Sequence, residues 1–269
     1  MATFALTPHG NLLALDWLLI VAAMPRPAAA YIALHDGDPG DTGINNEVTG
    51  AGYARSLATF EAASFANSRA TTVNTTDQTF TPNTGVTWTA THVSIWDAVT
   101  AGSCIAQAVL FKPILADDAT PTVLPAGKLP ITLFGGVFTE YSSKALLNFL
   151  FNAETVTRPL EWWSALHVGD PGDTGANNEV NAGVDVAYIR KTMTFNAAAT
   201  VDSIQRITNS GDAEWIPDGA ASYTVTARST WDAVSGGNCL IKGNLYATVE
   251  SSALALMLAS GEDVIDMKL

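Results

Sequence analysis

The sequence predicts a mainly β protein built from two tandem antiparallel β-sandwich domains, each preceded by a short apolar α-helix. Three features of its 269 residues support this fold class: a long internal repeat, short segments rich in Thr, Val and aromatic residues, and turn-forming Gly, Asn and Asp residues between those segments. We expect the two domains at residues 1–135 and 136–269, joined at the flexible pair Gly135 and Gly136.

The internal repeat is most visible in a loop that occurs twice. Residues 35–48 read HDGDPGDTGINNEV and residues 167–180 read HVGDPGDTGANNEV, so His167 lies 132 residues after His35. Beyond the loops the spacing becomes 135 residues, and IWDAVTAGSCIAQAVL at 95–110 matches TWDAVSGGNCLIKGNL at 230–245. A register kept over this length indicates that the chain is a tandem duplication.

Each repeat begins with an apolar segment that predicts a helix, near residues 11–23 and near residues 141–152. Pro25 and Pro27 are expected to end the first helix. The apolar run 12–24 is shorter than the roughly 18 residues that a membrane-spanning helix needs, contains Asp16, and lacks the basic start of a secretion signal. We therefore expect no membrane insertion and no targeting segment.

A strand is predicted after each helix, AAYIALH at 29–35 and WWSALHV at 162–168, and each leads into the repeated loop. The strands predicted next in the first repeat are ARSLATF at 54–60, SRATTVN at 68–74, VTWTATHVSIWD at 86–97, CIAQAVLF at 104–111 and LPITLF at 129–134. Short strands without a second helix in each unit favour an antiparallel sandwich, with the helix covering one end or an open edge.

The composition excludes one class of partner. The chain has 13 basic and 26 acidic residues and a net charge of −13, which repels phosphate backbones and anionic lipid surfaces, so we exclude nucleic acid as a partner. The two cysteines, Cys104 and Cys239, occupy matching positions in the repeats and are expected to be buried thiols in the core.

The repeated loop holds carboxylates that suggest a calcium site. An EF-hand match fails, because Gly40 and Asp41 stand where an oxygen ligand and the obligatory glycine belong, and Val168 stands at the first position of the second copy. The pattern instead favours a stiff structural connection that binds no metal, in which Asp and Asn side chains satisfy the backbone. The residues kept as candidates for another kind of calcium site are Asp38, Asp41, Glu47, Asp170, Asp173 and Glu179.

No catalytic and no cofactor-binding residue is predicted. The motifs of a nucleophile elbow, a phosphate-binding loop and a zinc protease are missing from the sequence, and structural roles are favoured for the four histidines His9, His35, His92 and His167. A sugar-stacking surface is the alternative role for the strand aromatics, but matching positions in both repeats favour the core; these residues are Trp88, Trp96, Trp162, Trp163, Trp215, Tyr223 and Trp231.

The segment YIALHDGDPGDTGINNEVTGAGYARSLATF at 31–60, followed by THVSIWDAVTAGSCIAQAVL at 91–110, resembles small virion proteins of tailed bacteriophages, often labelled tail fibre or minor tail proteins. The first repeat carries nearly the whole pattern from Tyr31 to Leu133, whereas the second keeps the loop and WDAV but loses GYAR. The resemblance implies a structural role in the virion, as an oligomer with other virion proteins and without catalytic residues.

The expected function is therefore that of a non-enzymatic structural protein, tail-associated or capsid-decorating, made in the host cytoplasm. A duplicated chain can occupy a sixfold position as a trimer with pseudo-sixfold symmetry. If the helices dock between chains, deleting residues 1–24 lowers the oligomeric state. The alternatives are a glycan-binding receptor-recognition module and, less favoured, a polysaccharide-degrading enzyme.

Overall fold

The structure is a computed structural model that describes residues 4–20, 25–134, 136–152, 156–219, 221–252 and 255–267. Within these residues the first repeat contains one helix and ten strands, of which β7 and β8 are the longest. In chain order the elements are β1 (Ala5–Leu6), α1 (Pro8–Leu19), β2 (Ala30–His35), β3 (Ser56–Ala58), β4 (Ser64–Ala66), β5 (Arg69–Thr72), β6 (Gln78–Phe80), β7 (Thr87–Trp96), β8 (Cys104–Asp117), β9 (Thr122–Leu124) and β10 (Ile131–Phe134).

The second repeat follows the same order of elements, except that a single bridge between Phe138 and Ile241 stands in place of the first short strand. Its elements are α2 (Glu140–Phe151), β11 (Trp162–His167), β12 (Lys191–Met193), β13 (Ala199–Val201), β14 (Ile204–Thr208), β15 (Ala213–Trp215), β16 (Ser222–Trp231), β17 (Cys239–Ser252), β18 (Leu256–Leu258) and β19 (Val264–Met267).

Each repeat has an antiparallel main sheet that carries the repeated loop. The strand order is β1-β8-β7-β2-β3 in the first repeat and β12-β11-β16-β17 in the second. Side chains alternate along these strands as a half-buried sheet requires, so Trp88 and Ala90 are buried while their neighbours Thr87 and Thr89 are exposed. The predicted fold class, mainly β with two tandem antiparallel units, is confirmed.

A smaller sheet in each repeat packs on the same core, with the order β10-β5-β4 in the first repeat and β13-β14-β19 in the second. Two further pairs, β6-β9 and β15-β18, complete the repeats. The sequence did not predict β1, β4, β6 or β9 as strands, because two or three residues are too few to show a period of two.

Threonine caps set the start of both helices. The hydroxyl of Thr7 accepts a hydrogen bond from the Gly10 amide at 3.2 Å, and Thr139 forms a reciprocal capping box with Ser142. Both helices therefore begin earlier than predicted, and α1 also ends earlier, at Leu19; residues 21–23 of its predicted span lie outside the described residues. In the described part of the chain, neither helix is long and apolar enough to cross a membrane.

The helices are exchanged between the repeats. Helix α1 packs on β14 of the second repeat and α2 packs on β4, β5 and β10 of the first. Equivalent hydrogen bonds occur at both contacts. The Asp16 carboxylate accepts a hydrogen bond from the Ala198 amide at 3.0 Å. The Asn148 side-chain oxygen accepts a hydrogen bond from the Ala63 amide at 2.7 Å. These pairs occupy equivalent positions, so the two docking contacts are copies of one another.

A pseudo-twofold axis therefore passes between the helices. Trp17 and Phe149 are equivalent residues, and their rings stack on each other with centroids 4.9 Å apart, as a self-complementary twofold contact requires. One hydrophobic cluster extends from β1 through both helices into β19, so the repeats share a continuous core. The sequence predicts that each helix covers one end or an open edge of the sandwich, whereas each helix lies between the main sheet of its own repeat and the smaller sheet of the other repeat.

The other repeat also caps the C-terminal end of each helix. The Arg158 guanidinium donates to the Trp17 carbonyl at 3.2 Å, and the Arg26 guanidinium donates to the Asn148 carbonyl at 2.5 Å. Neither helix has a basic residue in its own last turn, so these arginines provide the positive charge that a helix C-terminus favours. These contacts with the other repeat satisfy carbonyl groups in the last turn of each helix. Helix α1 thus ends at Leu19, before Pro25 is reached.

Candidate functional site

A buried histidine stands at the entrance to each repeated loop. His35 Nδ1 lies 2.8 Å from the Asn45 carbonyl, to which it donates, and Nε2 lies 2.6 Å from the Ser94 hydroxyl. The same hydroxyl accepts a hydrogen bond from the Trp96 indole at 2.7 Å and therefore donates to Nε2. Both ring nitrogens are occupied within the protein, and the arrangement recurs at His167, Asn177, Ser229 and Trp231.

The histidines are held in the neutral form. Burial lowers the pKa of His35, and this effect outweighs the Asn45 carbonyl and the Glu47 carboxylate, which raise it. Burial likewise lowers the pKa of His167. The predicted structural role of these two residues is consistent with this geometry, because a general base needs a nitrogen that can reach a substrate.

An arginine ties the end of the loop to the WDAV hairpin. Arg55 binds the two Glu47 carboxylate oxygens at 2.8 and 2.7 Å and donates to the carbonyls of Ala98 and Ala101 at 3.0 and 2.7 Å. Its guanidinium also lies 3.7 Å from the centre of the Trp96 ring, a cation–π contact. The second repeat reproduces these contacts with Arg190, Glu179, Ala233, Gly236 and Trp231.

A tyrosine completes each cluster. The Tyr53 hydroxyl accepts from the Leu34 amide at 2.9 Å and donates to Glu47 at 3.2 Å. Burial raises the pKa of Glu47, but the hydrogen bonds and charge of Arg55 outweigh burial and leave the pKa below its ordinary value. The second repeat has lost the GYAR motif as a string, yet Tyr188 and Arg190 keep the same contacts. Sequence reasoning aligned these residues but did not recognise their role.

Glycine and cysteine fit together beneath the loop. Gly43 has a φ of +76°, and a Cβ placed there would lie 2.5 Å from the Cys104 sulfur. Gly175 faces Cys239 in the same way. Both thiols are buried, as predicted, and burial raises the pKa of each to about 12, which keeps them protonated.

The six calcium candidates are not brought together. Glu47 and Glu179 are each paired with an arginine, and Asp38 and Asp170 each accept a hydrogen bond at 2.9 Å from the amide two residues ahead. Asp41 is exposed, while Asp173 accepts from the Ser68 hydroxyl at 2.6 Å and from Lys242. Among the residues that the structure describes, no group of three or more His, Cys, Asp or Glu is placed to hold a metal ion.

The strand aromatics form no exposed stacking surface. Six of the seven candidates are buried and Trp163 is half-buried. Among the aromatic side chains that the structure describes, Phe111 is exposed, and no motif in the sequence singled it out. It is 87% exposed on β8, between Val109 and Leu115, which are also exposed. A register shift in the β7–β8 pairing lies at this point.

These clusters connect a strand, its loop and a hairpin, and their polar groups bind one another. Fold and clusters together define a structural protein made of two β-sandwich repeats. The chain belongs to the family described as podophage GP4 fiber I protein gp80, whose profile matches residues 9–132 and 137–253, most of both repeats. It is thus a structural protein of the phage virion, which confirms the resemblance inferred from the loop and WDAV motifs. No curated protein matches the chain.

Proposed function

We propose that the chain is a non-enzymatic component of the virion, tail-associated or capsid-decorating, that assembles through symmetric contacts with copies of itself and with other virion proteins. The single observation that carries this proposal is the duplicated cluster of Arg55 and Glu47. Its carboxylate and guanidinium are engaged in holding one backbone shape, and the same shape is built twice. Fibre and decoration proteins need stiff surfaces of this kind, and they need no reacting group.

The same contacts support the proposal that the loops bind no metal. Calcium would have to displace Arg55 from Glu47 and Arg190 from Glu179, and each arginine also holds two hairpin carbonyls. Chelation of divalent cations is therefore expected to leave the unfolding temperature of the protein unchanged. A lower unfolding temperature in the chelator that calcium restores would contradict this part of the proposal.

An exposed apolar strip on β8 supports contacts with other virion proteins. Val109, Phe111 and Leu115 are exposed, and adjacent apolar side chains on a surface are typical of an interaction site. The matching residues of the second repeat are Asn244, Tyr246 and Glu250, which are more polar. A partner that uses this strip would thus bind once for each chain rather than once for each repeat.

The proposed homo-oligomer is a trimer, for which the sequence predicts pseudo-sixfold symmetry and the contacts between the repeats favour a different arrangement. A ring with pseudo-sixfold symmetry requires each repeat to contact the next in one direction, whereas the helix contacts within this chain are reciprocal. A trimer would combine a threefold axis with the pseudo-twofold axes of its three chains. The chains of such a trimer would contact one another through strands at the edges of the sheets, because both helices are already buried within their own chain.

The glycan-binding alternative predicts exposed tryptophans, and the buried indoles do not favour it. The enzyme alternative predicts an Asp or Glu whose substitution abolishes turnover without unfolding the protein. Neither gains a specific observation from the described residues.

Immunogold electron microscopy of intact phage particles tests the proposed position. Label at the tail is expected for a fibre or tail-tip component, and label over the head for a decoration protein. Particles disrupted before labelling serve as the control for a buried epitope. The absence of label on both intact and disrupted particles would overturn the proposal.

A further inference from the structure

A cleft of about 600 Å³ lies where the C-terminal end of α2 meets the first repeat. Among the described residues, its walls come from three segments, residues 26–30, 57–60 and 150–152. The deepest side chains are apolar and buried, namely Ala30, Ala58, Phe60, Leu150 and Phe151. The cleft is therefore an apolar space at the surface between the two repeats.

The equivalent place in the second repeat is filled. Strands β11 and β12 pair Trp162 with Met193, and both side chains are buried. Strands β2 and β3 pair the equivalent residues, Ala30 and Ala58. Two directly opposed large side chains are thus replaced by two alanines, which removes the volume that would close the cleft.

The residues that precede Ala30 are also smaller than those that precede Trp162. Residues 158–162 read RPLEW and residues 26–30 read RPAAA, so three consecutive side chains are reduced to methyl groups while the arginine and proline are kept. On α2, which faces the cleft, Phe151 stands at the position that the smaller Leu19 takes in α1. The larger ring fills only part of the missing volume, since the cleft remains beside it. The cleft therefore leaves apolar side chains facing an open space at the surface, and an exposed apolar surface of this kind is typical of a binding site.

Trp162 shows which chemistry fits this place. Its indole N–H donates to the Leu18 carbonyl at 2.8 Å, and its ring meets the Phe195 ring edge to face at 6.2 Å. The residues equivalent to Leu18 and Phe195 are Leu150 and Phe60, and both line the cleft. In the first repeat the Phe60 ring meets the Phe151 ring instead, with centroids 5.7 Å apart. The cleft beside these rings keeps the Leu150 carbonyl and the apolar side chains that surround the indole in the second repeat, and it lacks the indole.

We propose that this cleft binds a tryptophan side chain presented by another protein of the virion. The ring lies against Phe60, Leu150 and Phe151, and its N–H donates to the Leu150 carbonyl. Access is across Ala28 and Leu57, which are exposed. Strand β3 is the last strand of its sheet, so an extended partner segment can approach along it. The identity of the partner rests on the proposed function, whereas the chemistry of the ligand does not.

Isothermal titration of the full chain with indole tests the ligand chemistry. The wild-type chain is expected to bind one indole, Ala30→Trp to lose at least tenfold in affinity because its own ring fills the cleft, and Trp162→Ala to bind two. Ala58→Met is a second filling variant, for use if Ala30→Trp does not fold. Binding by Trp162→Ala but not by the wild-type chain would overturn the proposal, and so would wild-type binding that both filling variants retain.

Photo-crosslinking in assembled particles tests the partner. A crosslinking amino acid at the exposed position Leu57 is expected to capture one other virion protein, and Ala30→Trp is expected to reduce this product at least fivefold. Capture of a second copy of this chain, or of nothing, would overturn the assignment to another protein. Indole binding in solution does not depend on the position of the protein in the particle, so it succeeds or fails separately from the immunogold result.

Discussion

Arg55 is the residue on which the shape of the first loop depends. It makes four hydrogen bonds, to Glu47 and to two hairpin carbonyls, and its side chain is only 7% exposed while that of Glu47 is 22% exposed. Removing Arg55 leaves the Glu47 carboxylate without its cation and two hairpin carbonyls without their donor, in a place that water reaches poorly. Breaking a buried pair in this way costs roughly 3–5 kcal/mol, whereas an exposed pair contributes about 0.5 kcal/mol.

We expect Arg55→Ala to lower the free energy of unfolding by about 3 kcal/mol, since the pair is not fully buried. Lys144→Ala is the matched control, because Lys144 pairs with Glu140 on an exposed helix surface and its loss should cost less than about 0.5 kcal/mol. Urea unfolding of both variants measures the difference. Equal losses for the two would show that the Arg55 contacts do not hold the loop.

The buried histidines predict a loss of stability in mild acid. Burial lowers the pKa of His35 and His167 in the folded protein, while the unfolded chain titrates near the ordinary value of about 6.5. Below that pH the unfolded state binds more protons than the folded state, so stability is complete above it and is lost as the pH falls toward the folded pKa. The slope approaches about 1.4 kcal/mol per pH unit for each histidine.

His35→Gln should remove about half of the histidine contribution to the slope of stability against pH below about pH 6.5. His167→Gln is the matched variant, because its surroundings are the same, and it should remove an equal share. Chemical unfolding at a series of pH values gives the slope for each protein. A slope that neither variant changes would mean that other groups cause the acid sensitivity.

At the scale of elements, the two helices connect the repeats. Each is buried on most of its surface, because its own main sheet lies on one side and the smaller sheet of the other repeat lies on the other. A helix that is apolar nearly all round is expected to be buried in this way. The Asp16–Ala198 and Asn148–Ala63 hydrogen bonds fix each helix on the opposite repeat.

We expect Asn148→Ala to cost about 1–2 kcal/mol, because the Ala63 amide loses its acceptor. The change lies in the second repeat, but faster amide hydrogen exchange should appear around Ala63 in the first. Asp16→Ala should act in the opposite direction, at Ala198. As a control, Asp77→Ala removes an equivalent bond to the Ala126 amide within the first repeat, so its effect should stay there. Exchange confined to the mutated repeat in all three variants would contradict the exchanged packing of the helices.

At the scale of the whole molecule, the chain resembles a closed dimer whose two subunits are joined by a linker. Equivalent surfaces meet across the pseudo-twofold axis at Trp17 and Phe149, and the core runs through it. Strand pairing stays within each repeat, while the helices cross between them. We therefore propose that residues 1–135 and 136–269 are two structural units that require each other's helix for stability.

Co-expression of residues 1–135 and 136–269 as separate chains tests that dependence. The two halves are expected to copurify as a complex with the mass of the intact chain, measured by light scattering. Each half alone should self-associate or aggregate, because its smaller sheet lacks the partner helix. Trp17→Ala in the first half is the control and should weaken the complex, since replacing a core Trp by Ala costs roughly 3–5 kcal/mol. Two stable monomeric halves would contradict the proposal.

The sequence by itself determined the duplication and the longer strands, and it predicts a structural role for the loops. These follow from local signals: a repeated register, a period of two in segments such as VTWTATHVSIWD, and turn residues that act on their own backbone. The role of Arg55 was within reach, because Tyr and Arg recur at matching positions in both repeats. Its partner Glu47 was instead considered as a calcium ligand, since sequence shows carboxylates without the cations that fold onto them.

Only the tertiary structure decided which sheet each helix covers, where α1 ends, and that the axis relating the repeats is twofold. An apolar helix fits an apolar sheet of either repeat, and the two sheets have nearly the same pattern, so local sequence does not choose between them. The choice comes from contacts between residues far apart in the chain, such as Asp16 with Ala198 and Arg158 with Trp17. Tertiary contacts also determine the exposure of Phe111 and the cleft at Ala30, because both depend on which side chains the fold brings near them.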